Sequence, residues 1–316
     1  MTSLLDAAAG LHMPATPAVF DVKHSTLTAS VDKELDVHMF SMQESQPGRY
    51  AYLALTQASS DIRPEQRAAA IDSMMSAAAA LGLHAEALFT AVACLDAYLA
   101  AQPTHAALLQ PLGMACLWLA AKYEQLCVPS VRCFAQFVRM PPGAPAEVQG
   151  SAAAPQQLLV LLEVRVLRAL DYNLARIITA KAFVHRTMQM LAVAMQEEPA
   201  AASPAAAGAG ASAAAAAAAY TQQPQQLLRR QQQYSELYWL TSYLAEATLL
   251  EYNLLPCKPS ELAAAAFAVA QLLLGLKIDD AALAPYAVSE IYASSAALHV
   301  ADVAPLVSQD DPRLLA

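Results

Sequence analysis

Apolar residues recur along most of the chain at the i, i+3, i+4, i+7 spacing of helices that bury one face. Ile71, Met74, Met75, Ala78 and Leu81 share one such face, and Leu88, Val92, Leu95 and Leu99 another. From about Gln110 to Gln125 the sequence is apolar nearly all round, which predicts the central helix of a small bundle. Phe134, Phe137 and Val138 predict a short fourth helix after Pro129 and Ser130, and Leu158, Leu162, Val166, Leu167 and Leu170 define a fifth. A weakly amphipathic stretch from Val31 to about Arg49 predicts one helix ahead of these, while residues 1–30 show no sustained period and read as a flexible arm.

Tyr172 to Ile178 has no helical face and reads as a linker. A second helical set begins near Thr179, an N-cap residue type. Within it, 234–253 is strongly periodic, Ser260 is expected to cap a helix that Gly275 ends, and Asp279 or Asp280 and then Ser289 open two more. The segment from about 197 to 233, alanine-rich and then glutamine-rich, lacks the large apolar residues of a core and reads as a disordered insertion, with room for a short helical piece in the alanine run. The pattern is therefore all-α, with two tandem five-helix domains: residues 31–175 with a preceding helix, and 176–316 containing the insertion.

Composition agrees with helix. Hydrophobic residues make up 57%, much of it alanine, and only 9 glycines occur. The net charge of -9, with 18 basic residues and no block of them, speaks against a nucleic-acid surface. Cys94, Cys116, Cys127, Cys133 and Cys257 include no CxxC pair and read as reduced, small apolar residues rather than disulfides or metal ligands. The longest apolar run, Leu262 to Leu276, is too short for a comfortable membrane span, and the N-terminus has no basic leader region, so a soluble intracellular protein is expected. His84, His105 and His185 stand isolated, and no nucleophile–base set, phosphate-binding glycine loop or HExxH is present, so neither enzyme chemistry nor a cofactor is expected.

The segment MACLWLAAKYEQLCVPSV, Met114 to Val131, resembles the centre of the cyclin box, in which a buried helix ends on Lys-Tyr-Glu at a fixed distance before a proline. PEQRAAAID (Pro64–Asp72), LHAEALFTAVACLDAYLA (Leu83–Ala100) and LLEVRVLRALDYNLARIITAKAF (Leu161–Phe183) resemble the first, second and fifth helices of that box, in order. YLAEATLLEYNLLPCKPSELAAAAFAVA (Tyr243–Ala270) is similar to the second box of A- and B-type cyclins, the plant and algal A-type pattern above all.

The resemblance implies the cyclin fold and a regulatory subunit, without catalysis of its own, that binds and activates a cyclin-dependent serine/threonine kinase in cell-cycle control, in the nucleus or cytoplasm. It implies that Lys122 and Glu163 grip the kinase. The residues themselves add a physical argument, since charges beside apolar helix faces are expensive unless paired or turned to an interface. Leu119, Tyr123, Leu167 and Tyr172 match apolar positions of the same surface, although plain core packing accounts for them equally. Arg67 and Asp96 match a buried structural ion pair.

The sequence also departs from the family. The Met, Ile, Leu and Trp of the patch that docks Arg-x-Leu peptides fall on Gln66, Ala69, Ala70 and Ser73; the patch glutamine survives as Gln110, but its acidic partner reads Ser76. Each lost apolar wall removes roughly 1.5–3 kcal/mol of burial, so weak or absent docking is expected. Pro111 stands where the family has Leu and predicts a later start for the third helix. The N-terminal arm lacks the Arg-x-x-Leu and Lys-Glu-Asn destruction signals. Two other readings stay open: a degenerate scaffold that binds a kinase without activating it, and a cyclin-fold transcription factor, which would need a basic face.

Overall fold

The structure is a computed structural model that describes residues 26–46, 51–140, 154–197 and 213–276. Among these, the chain forms nine α-helices: α1 (Thr26–Ser45), α2 (Pro64–Ala80), α3 (Ala85–Ala101), α4 (Leu109–Glu124), α5 (Val131–Ala135), α6 (Ala154–Ala169), α7 (Ala180–Glu197), α8 (Ala213–Thr248) and α9 (Pro259–Leu274). No strand occurs among the described residues.

Two compact units emerge. One comprises the described residues within Glu34–Phe183 together with Ala245–Leu262; the other holds the described residues within Met1–Lys33, Val184–Leu244 and Ala263–Ala316. Residues 245–262 thus group with the first unit, which extends to Phe183.

In the first unit α4 is the hub, packing against α2, α3, α5 and α6. Its burial from Leu112 through Leu117 on every side explains the absence of a polar stripe in its sequence. Close approach to α2 depends on Gly113, because a Cβ there would lie 2.9 Å from Met74 Sδ. Pro111 is accommodated at the start of α4. A 3-10 turn at Ala106–Leu108 leads into a helix that starts at Leu109, so the proline sits in the first turn, where a missing N–H breaks no intrahelical bond.

Helix ends follow local chemistry. Pro64 opens α2, and Gln66 Oε1 accepts from Arg63 N at 2.9 Å. Gly82, at φ +61°, closes α2, with Leu83 N donating to Ala78 O. Ser260 does not cap α9. It lies inside the helix, where its N–H donates to Gln43 of α1, while Glu261 accepts from Lys258 N. Gly275, at φ +64°, follows the end of α9, in keeping with the expected stop.

In the second unit, Val184, Met188, Leu191 and Ala192 form the buried stripe of α7, and Tyr234, Leu237, Tyr238, Thr241 and Leu244 that of α8. Tyr234 donates to Met188 O, and Arg186 pairs with Asp32 at 2.9 Å.

The disordered-insertion reading needs correcting over 213–233, which is the first part of the single helix α8. Alanine and glutamine favour helix whether or not the segment has a core to join, so missing large apolar groups argue against burial but not against helix. Residues 198–212, the greater part of the N-terminal arm, and the two expected helices near Asp279 and Ser289 lie outside the described residues.

Candidate functional site

Lys122 closes the last turn of α4, and Glu163 lies midway along α6. The two helices pack side by side, and the lysine and glutamate, 41 residues apart, form an ion pair between Lys122 Nζ and Glu163 Oε1. The lysine side chain is 36% exposed and the glutamate 13%, so the pair sits at the protein surface with its carboxylate more sheltered than its ammonium. Lys122 Nζ also lies 3.4 Å from the centre of the Trp118 ring, one helical turn earlier.

Apolar side chains are exposed close by in the chain. Tyr123, Leu126 and Val128 follow the lysine, and Val160 and Leu161 precede the glutamate. On α6, Val160, Glu163 and the half-buried Leu167 share one face by their i, i+3, i+7 spacing. Tyr172 is exposed just past α6, where Asp171 and Tyr172 both take the left-handed conformation and Tyr172 N donates to Leu167 O. Leu119 differs: at 6% exposure it belongs to the core with Leu112, Ala115 and Cys116, because those positions recur on the inward face of α4. It is not a rim residue. At the other end of the same turn Thr90 donates to Glu124 at 2.7 Å, tying α3 to α4 beside the lysine.

Arg67 and Asp96 meet as a bidentate pair, Nε to Oδ1 at 2.8 Å and Nη2 to Oδ2 at 2.7 Å, with both side chains buried. Two groups that the sequence did not announce complete the shell. Tyr52 donates to Asp96 Oδ1 at 2.8 Å, and Arg67 Nη1 donates to Leu249 O at 2.9 Å. Burial, reinforced by the Asp96 charge, pushes the Tyr52 phenol far above its ordinary range, so it stays a neutral donor. Gln57 is a further residue that sequence reasoning missed. Its buried amide donates to Leu99 O and Gln102 O and accepts from Thr104 N, closing the C-terminus of α3. No local pattern marks Tyr52 or Gln57, whereas the four-residue interval between Trp118 and Lys122 was readable.

The positions expected for a degenerate docking patch divide. Gln66 and Ala69 are exposed, Ser73 is half-buried, and Ala70, at 4% exposure, faces the core rather than a surface pocket. Gln110 is occupied internally: Nε2 donates to Ser73 Oγ and Phe137 O, and Oε1 accepts from Arg139 N. Both amide hydrogens are therefore committed, one to α2 through Ser73 and one to the loop after α5 through Phe137 O.

Residues 37–175 match the cyclin N-terminal domain and residues 223–290 the cyclin C-terminal domain. The chain belongs to the cyclin family. This cyclin is 27% identical over 214 residues to Cyclin-A1-2 of Oryza sativa subsp. japonica, covering 68% of this chain and 35% of that protein. It is 25% identical over 254 residues to the G2/mitotic-specific cyclin-B2 of Oryzias latipes, covering 80% of this chain and 51% of that one. The cyclin thus spans between about a third and a half of the length of these relatives. Its fold matches that of a viral cyclin from herpesvirus saimiri with a TM-score of 0.59 at 13% identity, over 88% of this chain and 98% of the other. Among the described residues no group of His, Cys, Asp and Glu gathers as a metal site, and no helix is long and apolar enough to cross a membrane.

Proposed function

We propose that this cyclin is a regulatory subunit that binds a cyclin-dependent serine/threonine kinase and favours its active state, acting in the nucleus or cytoplasm of dividing cells. The observation that supports this most is the surface pairing of Lys122 with Glu163 across α4 and α6, with apolar side chains exposed nearby in the chain. Such a ledge can seat a helix of a partner, since apolar contact supplies burial and the two charges fix register through charge-assisted hydrogen bonds.

Kinase activity requires an ion pair between a glutamate on the kinase's C-helix and the active-site lysine. A subunit that binds only the inward position of that helix shifts the population towards the active state by its differential affinity. No group on the cyclin need touch substrate, so the protein itself performs no catalysis.

The test is co-purification with a cyclin-dependent kinase from cycling cells, followed by a histone-kinase assay, for the wild type and for Lys122→Ala with Glu163→Ala. Each truncation is expected to weaken binding by roughly tenfold or more, the order for a partly desolvated charged contact. Unchanged binding and activation in the double variant would overturn the proposal.

A second reading, a scaffold that holds a kinase without activating it, is favoured by the loss of the peptide-docking patch at Gln66, Ala69 and Ser73. It predicts kinase recovery with no rise in histone phosphorylation. A DNA-binding role is disfavoured by the net charge of -9, and a salt-dependent gel shift would revive it.

A further inference from the structure

The lysine of the ledge has two restraints, not one. Its ammonium donates to Glu163 on α6, and it also stands 3.4 Å from the centre of the Trp118 ring, well inside the range of about 6 Å for cation–π attraction. Trp118 and Lys122 are four residues apart on α4, so they lie on one helical face. The indole is only partly exposed and packs against the core of its unit, so the ring cannot follow the lysine about. We propose that Trp118 is a positioning residue that clamps Lys122 in the geometry a partner protein binds. This inference rests on the regulatory reading above.

The physical need for a clamp is specific. An exposed lysine has four rotatable side-chain bonds, and a surface Lys–Glu pair usually contributes little because holding both chains in one geometry costs entropy. Here the indole face and the Glu163 carboxylate approach the same ammonium, which removes most of that freedom before any partner arrives. One of the three ammonium N–H groups is taken by Glu163 and another side of the ammonium faces the indole ring, which leaves a remaining N–H for an acceptor oxygen across the interface. Binding then requires little further ordering of the lysine, and the gain appears as affinity.

Two measurements decide it. The chain has six lysines, so selective 13C labelling of lysine gives a spectrum in which each can be assigned by substitution. In the free wild-type protein the Lys122 ε-methylene protons should be shifted upfield by the ring current, and in Trp118→Leu they should return to the position of the other lysines. The second measurement is affinity for the kinase recovered in the pull-down above, as a double-mutant cycle. Trp118→Leu should weaken binding by roughly threefold when Lys122 is present and have no further effect in a Lys122→Ala background. Trp118→Phe should retain most of the affinity.

An equal loss in both backgrounds would mean that Trp118 acts only through packing, and overturns the inference. A Lys122 methylene at its ordinary position in the wild type overturns it as well. If Trp118→Leu fails to fold, the wild-type spectrum still tests the ring contact, and a Trp118→Phe affinity as low as that of Lys122→Ala overturns the clamp. Recovery of no kinase at all overturns the regulatory reading and the partner-directed half of the inference with it, while the spectrum still tests the clamp by itself.

Discussion

Arg67 shows what a buried charge demands. Its guanidinium makes two bonds to Asp96 and one to Leu249 O, and Asp96 accepts in addition from Tyr52, so each guanidinium nitrogen and each carboxylate oxygen has a partner inside the first unit. Replacing one partner strands the other charge away from water. Arg67→Met should therefore destabilise the protein by about 3–5 kcal/mol, read as a lower denaturant midpoint with an unchanged slope, and adding Asp96→Asn should return part of that loss. The pairing could be anticipated from a charge of each sign within apolar helical stretches and from the family's pattern at those positions. Tyr52 could not, because it sits in an irregular segment whose sequence has no period, and only the folded chain brings it to the carboxylate.

Among the helices, the spacing of apolar residues carried most of the information. The run from Gln110 to Gln125 predicted a helix buried on all sides, and α4 is that helix. An error arose where propensity and burial separate, as in the alanine and glutamine stretch that continues α8 without large apolar groups. How closely two helices approach was not readable. Gly113 permits α4 to lie against Met74 of α2, and Met74 is wholly buried with little room to move. Gly113→Ala improves helix propensity by about 1 kcal/mol, but overpacking of this kind costs about 1–3 kcal/mol. A net loss of about 1 kcal/mol is expected in urea unfolding, and Met74→Ala in the same chain should make the added methyl group tolerable.

Across the molecule, the surfaces that remain free set the partners this cyclin can hold. The positions expected to form a peptide-docking patch offer Gln66 and Ala69 to solvent, turn Ala70 inward and spend Gln110 on the loop after α5. With at least three large apolar walls missing, an Arg-x-Leu peptide should bind about a thousandfold more weakly than to a patch that has them. Fluorescence polarisation with a labelled peptide measures this directly, and Gln66→Met with Ala69→Ile should recover some affinity. Tight binding to the unaltered protein would show that another surface serves the purpose.

Helix content, the bundle's central element and the family were determined by sequence alone, because each follows from local periodicity or from short segments in fixed order. The meeting of Lys122 with Glu163, the inward turn of Leu119 and Ala70, and the shell of Tyr52 and Leu249 around Arg67 were decided by tertiary structure. Each depends on groups far apart in the chain or on the rotation of a helix about its axis. Local spacing narrows that rotation, but only packing against neighbouring helices fixes it.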